Sequence, residues 1–328
     1  MALSIEKAKL VSSELSTTLN PRKSRASAFG KVILLGEHAV VHGSRAVAIP
    51  LTSMSLEIVL EERNPSQQRK IFCTSENLHN ILQDAMELLD VKFSPYKVEA
   101  HSKILFGAGM GASAALCVAM LRTLSKHFGK KLEVEELALL ANRLEKRFHG
   151  TPSGLDAATV AYEKPLLFMK GSSPELIKVH HLLSDVDGRK WPWSFAVIDS
   201  GTRSPTLTMV QKSAPFFQGI SGRQRVAQFD ALALQVAEGL QTGSLSLVQH
   251  AMMQADLYLK EIGLVPPLLS NMIESALNSG VLAAKITGAG GGGCLLCLLD
   301  PSRVQETLDA LREKFGAAQV YEVSIIGS

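Results

Sequence analysis

A glycine-rich segment that runs directly into an apolar helix is the feature that most limits how this chain can fold. The helix residues, 114–120, are nearly all apolar, and a helix that is apolar on every side must be buried. Glycines let backbone N–H groups approach an anion closely, and a helix N-terminus carries partial positive charge. The segment therefore indicates a phosphate-binding loop on a rigid element. Its residues are Gly107, Ala108, Gly109, Met110, Gly111, Ala112 and Ser113.

Two other interpretations of this loop stay open from the residues alone. The loop fits G-x-G-x-x-A, the dinucleotide-binding pattern, which requires a later strand that ends in an acidic residue. Here residues 127–131 follow the helix and lead into another helical pattern, so that βαβ unit is incomplete. The second alternative is a tight structural turn without a ligand.

The order of the predicted elements indicates two domains. A chain of 328 residues exceeds what most single cores contain. Pro192 follows a polar stretch, and we place the boundary there, which gives domains 1–191 and 192–328. The second is predicted as strand, several helices, then strand, glycine turn, strand, helix and strand, an α+β ferredoxin-like layer. The first is predicted to have strands near 26–35, 45–51, 54–61 and 97–105, and helices near 78–90, 112–127 and 133–148.

Charge and hydropathy argue against several kinds of partner. The net charge is +3 and no long run of Lys or Arg occurs, so nucleic acid is not an expected partner. No apolar stretch approaches the roughly 20 residues that a membrane span needs. We expect a cytoplasmic protein, with a peroxisome-like organelle or a mitochondrion left open, and a homodimer is equally open. Cys294 and Cys297 are interpreted as buried thiols in an apolar strand.

Two more glycine-marked segments place ionisable side chains at turns. A predicted strand that contains Lys31 ends at Gly36, and Glu37 and His38 follow it. Loops at strand ends often carry function, although a solvated strand lysine and an ordinary turn glutamate are the alternatives.

The other segment, His149 to Asp156, leads into a helix. Ser153 is predicted to be the N-cap of this helix, with Asp156 three residues on as in a capping box. A carboxylate fixed at a helix start could equally be aimed at a substrate hydroxyl.

A fourth segment, residues 288–293, has five glycines in six positions between two predicted strands. A hairpin seldom needs so many, so we expect the backbone to approach a ligand or the opposite domain closely.

In this order the four segments resemble the signature of the GHMP kinases, from Phe29 to about residue 294. The resemblance implies a two-domain α+β fold: a mixed α/β N-terminal domain like ribosomal protein S5, a ferredoxin-like C-terminal domain, and an active site in the cleft between them. It also implies ATP and Mg²⁺ as cofactors. Residues 36–43 and 149–156 are most similar to family members that phosphorylate mevalonate. The expected partners are thus mevalonate and ATP, and the expected reaction makes 5-phosphomevalonate for isoprenoid and sterol precursors.

Two alternatives to that activity remain. One is a GHMP kinase of the galactokinase or phosphomevalonate kinase type. The other is a catalytically silent ligand sensor on the same fold.

The resemblance implies a role for each site residue. Asp156 would accept or orient the proton of the primary hydroxyl, beside Lys31, and whether it acts as a true base stays open. Ser113 and Glu145 would hold Mg²⁺. The expected substrate contacts are Lys31, Glu37, His38, Ser153 and Asp156. The expected nucleotide contacts are Gly107, Ala108, Gly109, Met110, Gly111, Ala112, Ser113, Gly288 and Gly290.

Three departures from the family pattern affect these expectations. Phe29 replaces the usual proline before Gly30-Lys31, and Ala112 replaces the first of two serines, which keeps the second hydroxyl. Pro205 is inserted before Thr206, which puts a substrate contact of that threonine in doubt.

Overall fold

The computed structural model describes residues 22–62, 72–73, 76–92, 96–150, 152–178, 182–183, 190–191 and 193–325. The predicted boundary at Pro192 lies outside these ranges, so the division into 1–191 and 192–328 stays a prediction. No helix in the described ranges is long and apolar enough to cross a membrane.

Twelve strands and nine α-helices are found in the described ranges. The strands are β1 (Lys23–Leu35), β2 (Arg45–Glu62), β3 (Phe72–Cys73), β4 (Tyr96–Ser102), β5 (Leu166–Met169), β6 (Glu175–Leu176), β7 (Leu182–Leu183), β8 (Lys190–Trp191), β9 (Trp193–Asp199), β10 (Ala283–Thr287), β11 (Cys294–Leu298) and β12 (Val320–Ile325). The helices are α1 (Glu76–Leu88), α2 (Ala112–Phe128), α3 (Val134–His149), α4 (Leu155–Tyr162), α5 (Thr206–Ser213), α6 (Gly219–Thr242), α7 (Leu245–Glu261), α8 (Pro267–Asn278) and α9 (Val304–Phe315).

The first half forms a mixed sheet in the order β3-β4-β2-β5-β6, with β1 also paired to β2. The separate strands predicted for 45–51 and 54–61 are wrong, because β2 is continuous. Its register against β1 shifts where Phe29 pairs with Ser55 but Gly30 pairs with Leu51. A β-bulge thus absorbs the extra residues of β2 and hides its continuity from the apolar alternation.

Helix α2 packs against this sheet and is the centre of the larger core. Every residue from Ala114 to Met120 is buried, none more than 6% exposed. The prediction from the all-apolar sequence is therefore confirmed. The helix starts at Ala112, directly after the glycine segment, so the end that faces the loop is fixed by the packing of its body.

The second half contains a four-stranded antiparallel sheet in the order β10-β11-β9-β12. The first of its strands in the chain, β9, lies inside the sheet, and α9 connects β11 to β12. This topology confirms the predicted ferredoxin-like layer. Cys294 and Cys297 are buried free thiols of β11, as predicted, and burial raises the pKa of each to about 12.

Candidate active site

A cavity of about 710 Å³ lies between the two halves of the described chain. The first half contributes the end of β1, residues 105–113 and the region from Glu145 to Asp156, and the second half contributes residues 204–210 and 287–293. All the predicted site residues line this one cavity. The tertiary structure thus brings together segments that are far apart in the sequence.

Lys31 and Asp156 form an ion pair at the cavity wall, with 2.9 Å between Nζ and Oδ2. Lys31 belongs to β1 and is 2% exposed, whereas Asp156, in the first turn of α4, is 30% exposed. Lys31 Nζ also donates to the carbonyl of Gly109 at 3.3 Å. The lysine is therefore not a solvated strand charge, and it ties the carboxylate to the glycine loop.

The predicted capping box at the start of α4 is wrong. Gly154 occupies the N-cap position with φ 96°, and no side chain bonds to the cap. Ser153 Oγ instead accepts a hydrogen bond from the backbone N–H of Leu155 at 3.2 Å. Because Asp156 pairs with Lys31 and not with the N-cap, its carboxylate faces the cavity.

Ser113 and Glu145 form a second polar pair in the cavity. Ser113 Oγ donates to Glu145 Oε1 at 3.2 Å, and Glu145 is 1% exposed. Burial, together with the negative charge of Asp156, raises the pKa of Glu145 to about 8, although Lys31, Ser113 and the Ala157 N–H oppose the shift. A buried carboxylate of this kind needs a cation or a proton.

These oxygens fit a Mg²⁺ ion. Mg²⁺ prefers hard oxygen ligands and is usually held by one or two carboxylates together with substrate phosphates and water. No group of three or more His, Cys, Asp or Glu side chains that could hold a metal occurs in the described ranges. An ion held by Ser113 and Glu145 would complete its shell in the usual way for Mg²⁺, with substrate phosphates and water.

The two glycine loops touch through their backbones. Gly109 has φ 83°, and a Cβ on it would lie 2.7 Å from the carbonyl oxygen of Thr287. A Cβ on Gly288 would lie 2.9 Å from the Cα of Gly109. Neither position has room for a side chain. This agrees with the expectation that residues 288–293 approach the opposite half closely.

Glu37 lines the cavity but turns its carboxylate toward Lys285 of β10, and both side chains are fully buried. Burial raises the pKa of Glu37, and the Lys285 ammonium acts against that rise. Within the described structure, Glu37 Oε2 has no hydrogen-bond partner.

Both ring nitrogens of His38 have partners. Nε2 lies 2.8 Å from the carbonyl oxygen of Ala289, and Nδ1 lies 2.8 Å from Ser213 Oγ. Burial lowers the pKa of His38 to about 4, so the ring is neutral at pH 7. Because a carbonyl only accepts, Nε2 carries the proton and donates it to Ala289.

Lys285 was not predicted as a site residue, although the sequence contains a signal for it. Lysine is almost never fully buried unless it is paired, and Lys285 lies in a strand whose five residues are all buried. The sequence could therefore have marked it as a paired residue, but not with which partner.

The inserted proline lines the cavity at the start of a helix. Pro205 is the N-cap residue of α5, and Thr206 follows it and lines the cavity. Arg203 makes two hydrogen bonds to Asp199, of 2.7 and 2.9 Å, and its Nε donates to the carbonyl of Phe106 at 3.3 Å. This arginine thus connects the second half to the glycine loop.

Two family models match the chain. The model for the GHMP kinases N terminal domain matches residues 79–164, and that for the GHMP kinases C terminal matches residues 236–317. The chain is 28% identical to the mevalonate kinase of Pyrococcus furiosus in an alignment of 347 positions. The alignment covers 91% of this chain and 96% of that protein. It is 29% identical to the mevalonate kinase of Archaeoglobus fulgidus, with coverages of 89% and 98%.

The same fold occurs in a solved structure of L. major mevalonate kinase in complex with R-mevalonate. The TM-score is 0.78 at 23% identity, and the match covers 94% of this chain and 98% of that one.

Proposed function

The chain belongs to the GHMP kinase family, and from that premise we propose that it transfers the γ-phosphoryl group of ATP to the primary hydroxyl of mevalonate. The products are 5-phosphomevalonate and ADP. The observation that carries the proposal is the Lys31–Asp156 pair, which lines one cavity with the Ser113–Glu145 pair and the glycine loop. The activity named for relatives that match nine-tenths of the chain supports the choice of substrate.

The reaction needs positioning and charge neutralisation more than covalent chemistry. The acceptor oxygen forms a bond to the γ-phosphorus while the bond from that phosphorus to the bridging oxygen of ADP breaks. We assign the hydroxyl proton to the Asp156 carboxylate, and the Lys31 ammonium stabilises negative charge on the acceptor oxygen. The backbone N–H groups of residues 107–113 face the triphosphate. Mg²⁺, when bound by Ser113 and Glu145, neutralises charge on the phosphates.

The charges around the cavity favour an acceptor without a phosphate group. Among the described residues that line the cavity, Lys31 is the one Lys or Arg side chain. A phosphorylated acceptor would need further cations to compensate its charge. The complete set of ionisable site residues also disfavours a silent sensor, which would have no need of Lys31 paired with Asp156.

The test is an assay of ADP release with Mg·ATP and four acceptors in parallel: mevalonate, galactose, homoserine and phosphomevalonate. We expect turnover with mevalonate alone. Turnover with a different acceptor, or none with any acceptor in protein that binds ATP, would contradict the proposed reaction.

A further inference from the structure

Strand β10 presents two buried polar side chains to the first half of the molecule. Lys285 and Thr287 are two residues apart, so they project from the same face of the strand. Their exposed fractions are 0% and 1%. Polar groups that are taken out of water at this depth require partners, and the hydrogen-bond partners found outside β10 among the described residues belong to β1 or to the turn that follows it.

Five hydrogen bonds in the described structure join β10 and the loop after it to β1 and the turn after it, and three of them are 2.9 Å or shorter. Thr287 Oγ1 accepts a hydrogen bond from the N–H of Ile33 at 2.9 Å. Lys285 forms the buried ion pair with Glu37 and also donates to the carbonyl of Ile286 at 2.7 Å. The third contact is the one from His38 to Ala289.

We propose that Lys285 is a positioning residue for the acceptor side of the site. Lys285 does not line the cavity, whereas Glu37 and His38 do. Through Glu37, the ammonium holds residues 36–38 in register with the loop of residues 288–293. This inference rests on the proposed function, because it assigns the turn to the wall that faces the acceptor alcohol.

The physical reason is that a buried charge pair tolerates little displacement. Without Lys285, the Glu37 carboxylate would remain enclosed with an unpaired oxygen and without its ion-pair partner, and Lys31, whose charge acts on it more weakly, would be the remaining cation. The turn would then have to move toward water or take up a proton. Movement of the turn shifts the acceptor wall relative to Asp156, and a misplacement of about 1 Å can cost about 10²-fold in rate. Uptake of a proton leaves the turn without the ion pair that holds it in register.

The nucleotide side of the site has separate supports. The N–H of Lys31 donates to the carbonyl of Met110 at 3.0 Å, and Lys31 Nζ donates to Gly109. The body of α2 is held by the core. Loss of Lys285 should therefore affect use of the acceptor much more than binding of the nucleotide.

The test compares Lys285→Met, Glu37→Gln and the double variant with the wild type. Each protein is checked for folding by circular dichroism, and kcat, KM for mevalonate and Kd for ADP are measured. We expect Lys285→Met to lower kcat/KM for mevalonate by about 10²-fold and to leave the Kd for ADP near the wild-type value. The double variant should be no less active than Glu37→Gln, because Lys285 acts through Glu37.

Arg45→Met is the matched control. Arg45 of β2 forms an ion pair with Asp230 of α6, at 2.6 Å, which also joins the two halves but does not line the cavity. This control should keep wild-type kcat/KM.

Three results would overturn the proposal: wild-type kinetics for Lys285→Met, losses that multiply in the double variant, or an equal loss in Arg45→Met. If Lys285→Met fails to fold, the proposal is tested by comparing kcat/KM of the double variant with that of Glu37→Gln. Equal kcat/KM in these two supports the proposal, and a lower value in the double variant contradicts it.

Failure of the proposed function gives a different result. In that case the wild type itself does not use mevalonate, and the same variants are compared with whichever acceptor alcohol the wild type accepts.

Discussion

Asp156 and Glu145 both line the cavity, but their carboxylates lie in different environments and therefore differ in their chemical properties. Asp156 is partly exposed and forms an ion pair with the Lys31 ammonium. Glu145 is enclosed, and burial raises its pKa to about 8. This difference supports the roles that we propose, in which Asp156 accepts the proton of the alcohol and Glu145 holds a cation.

The first prediction concerns Asp156→Asn, which keeps the size of the side chain and removes its basicity. We expect kcat to fall by about 10²–10⁴-fold, the usual contribution of a positioned base, while the Kd for ATP changes little. Steady-state kinetics and calorimetric titration measure the two quantities. Asp230→Asn, outside the cavity, is the control, and an unchanged kcat in Asp156→Asn would remove Asp156 from the mechanism.

The second prediction uses the buried neutral ring of His38. Its pKa falls from 6.5 to about 4 on folding, because burial disfavours the charged ring. The unfolded chain therefore binds more protons between these values. The contribution of His38 to stability is complete above pH 6.5 and is lost as the pH falls through 4, a loss of about 3 kcal/mol in the free energy of unfolding.

His38→Asn should flatten this dependence, because Asn has no group that titrates in this range. Denaturant unfolding at pH 7 and pH 4 measures it. His42 also has a pKa lowered chiefly by burial, so the slope should decrease without disappearing. Equal slopes for the variant and the wild type would show that His38 titrates normally in the folded state.

At the scale of elements, the contact between the two glycine loops gives a third prediction. Gly109→Ala adds a methyl group that would lie 2.7 Å from the carbonyl oxygen of Thr287, so the loops must separate. We expect a large fall in kcat/KM in addition to the strain of an alanine at positive φ, roughly 1 kcal/mol.

Gly129→Ala is the matched control for this change. Gly129 also has positive φ, 67°, but a Cβ there meets nothing within 4 Å. Both variants carry the cost of an alanine at positive φ, and Gly109→Ala should lose more stability in thermal unfolding because of its contact with Thr287. Only Gly109→Ala should lose activity. Equal activity in the two variants would mean that the loops need not touch.

Elements with a long apolar pattern were mostly predicted from the sequence, and short elements without such a pattern were not. Helices α1, α2 and α3 were predicted within two residues at each end because their apolar spacing extends over several turns. No strand was predicted for β5, which pairs with β2 over four residues. Such a short strand shows no periodicity, and its pairing partner is remote in the sequence.

At the scale of the whole molecule, the cavity is walled by both halves, and binding should therefore stabilise them together. The fourth prediction is that Mg·ATP at about 100 times its Kd adds about 2.7 kcal/mol to the free energy of unfolding. Calorimetry should show one transition that moves to higher temperature. Two transitions, of which only one moves, would indicate that the nucleotide contacts a single half.

Features of the fold that depend on residues close together in the chain could be predicted from the sequence. An apolar helix after a glycine segment, such as residues 107–120, has to be buried with its loop at one end. The glycine-rich segments 107–111 and 288–293 were likewise predictable as places of close approach. The order of these segments was also enough to indicate the family.

Contacts between side chains that are far apart in the sequence could be found only from the tertiary structure. Glu37 and Lys285 are 248 positions apart, and nothing local in either segment specifies the other. Their pairing depends on how the face of β10 packs against the end of β1, and therefore on the two cores as wholes. Packing between elements also excludes water from Glu145 and His38, and so it causes the pKa shifts that the sequence could not predict.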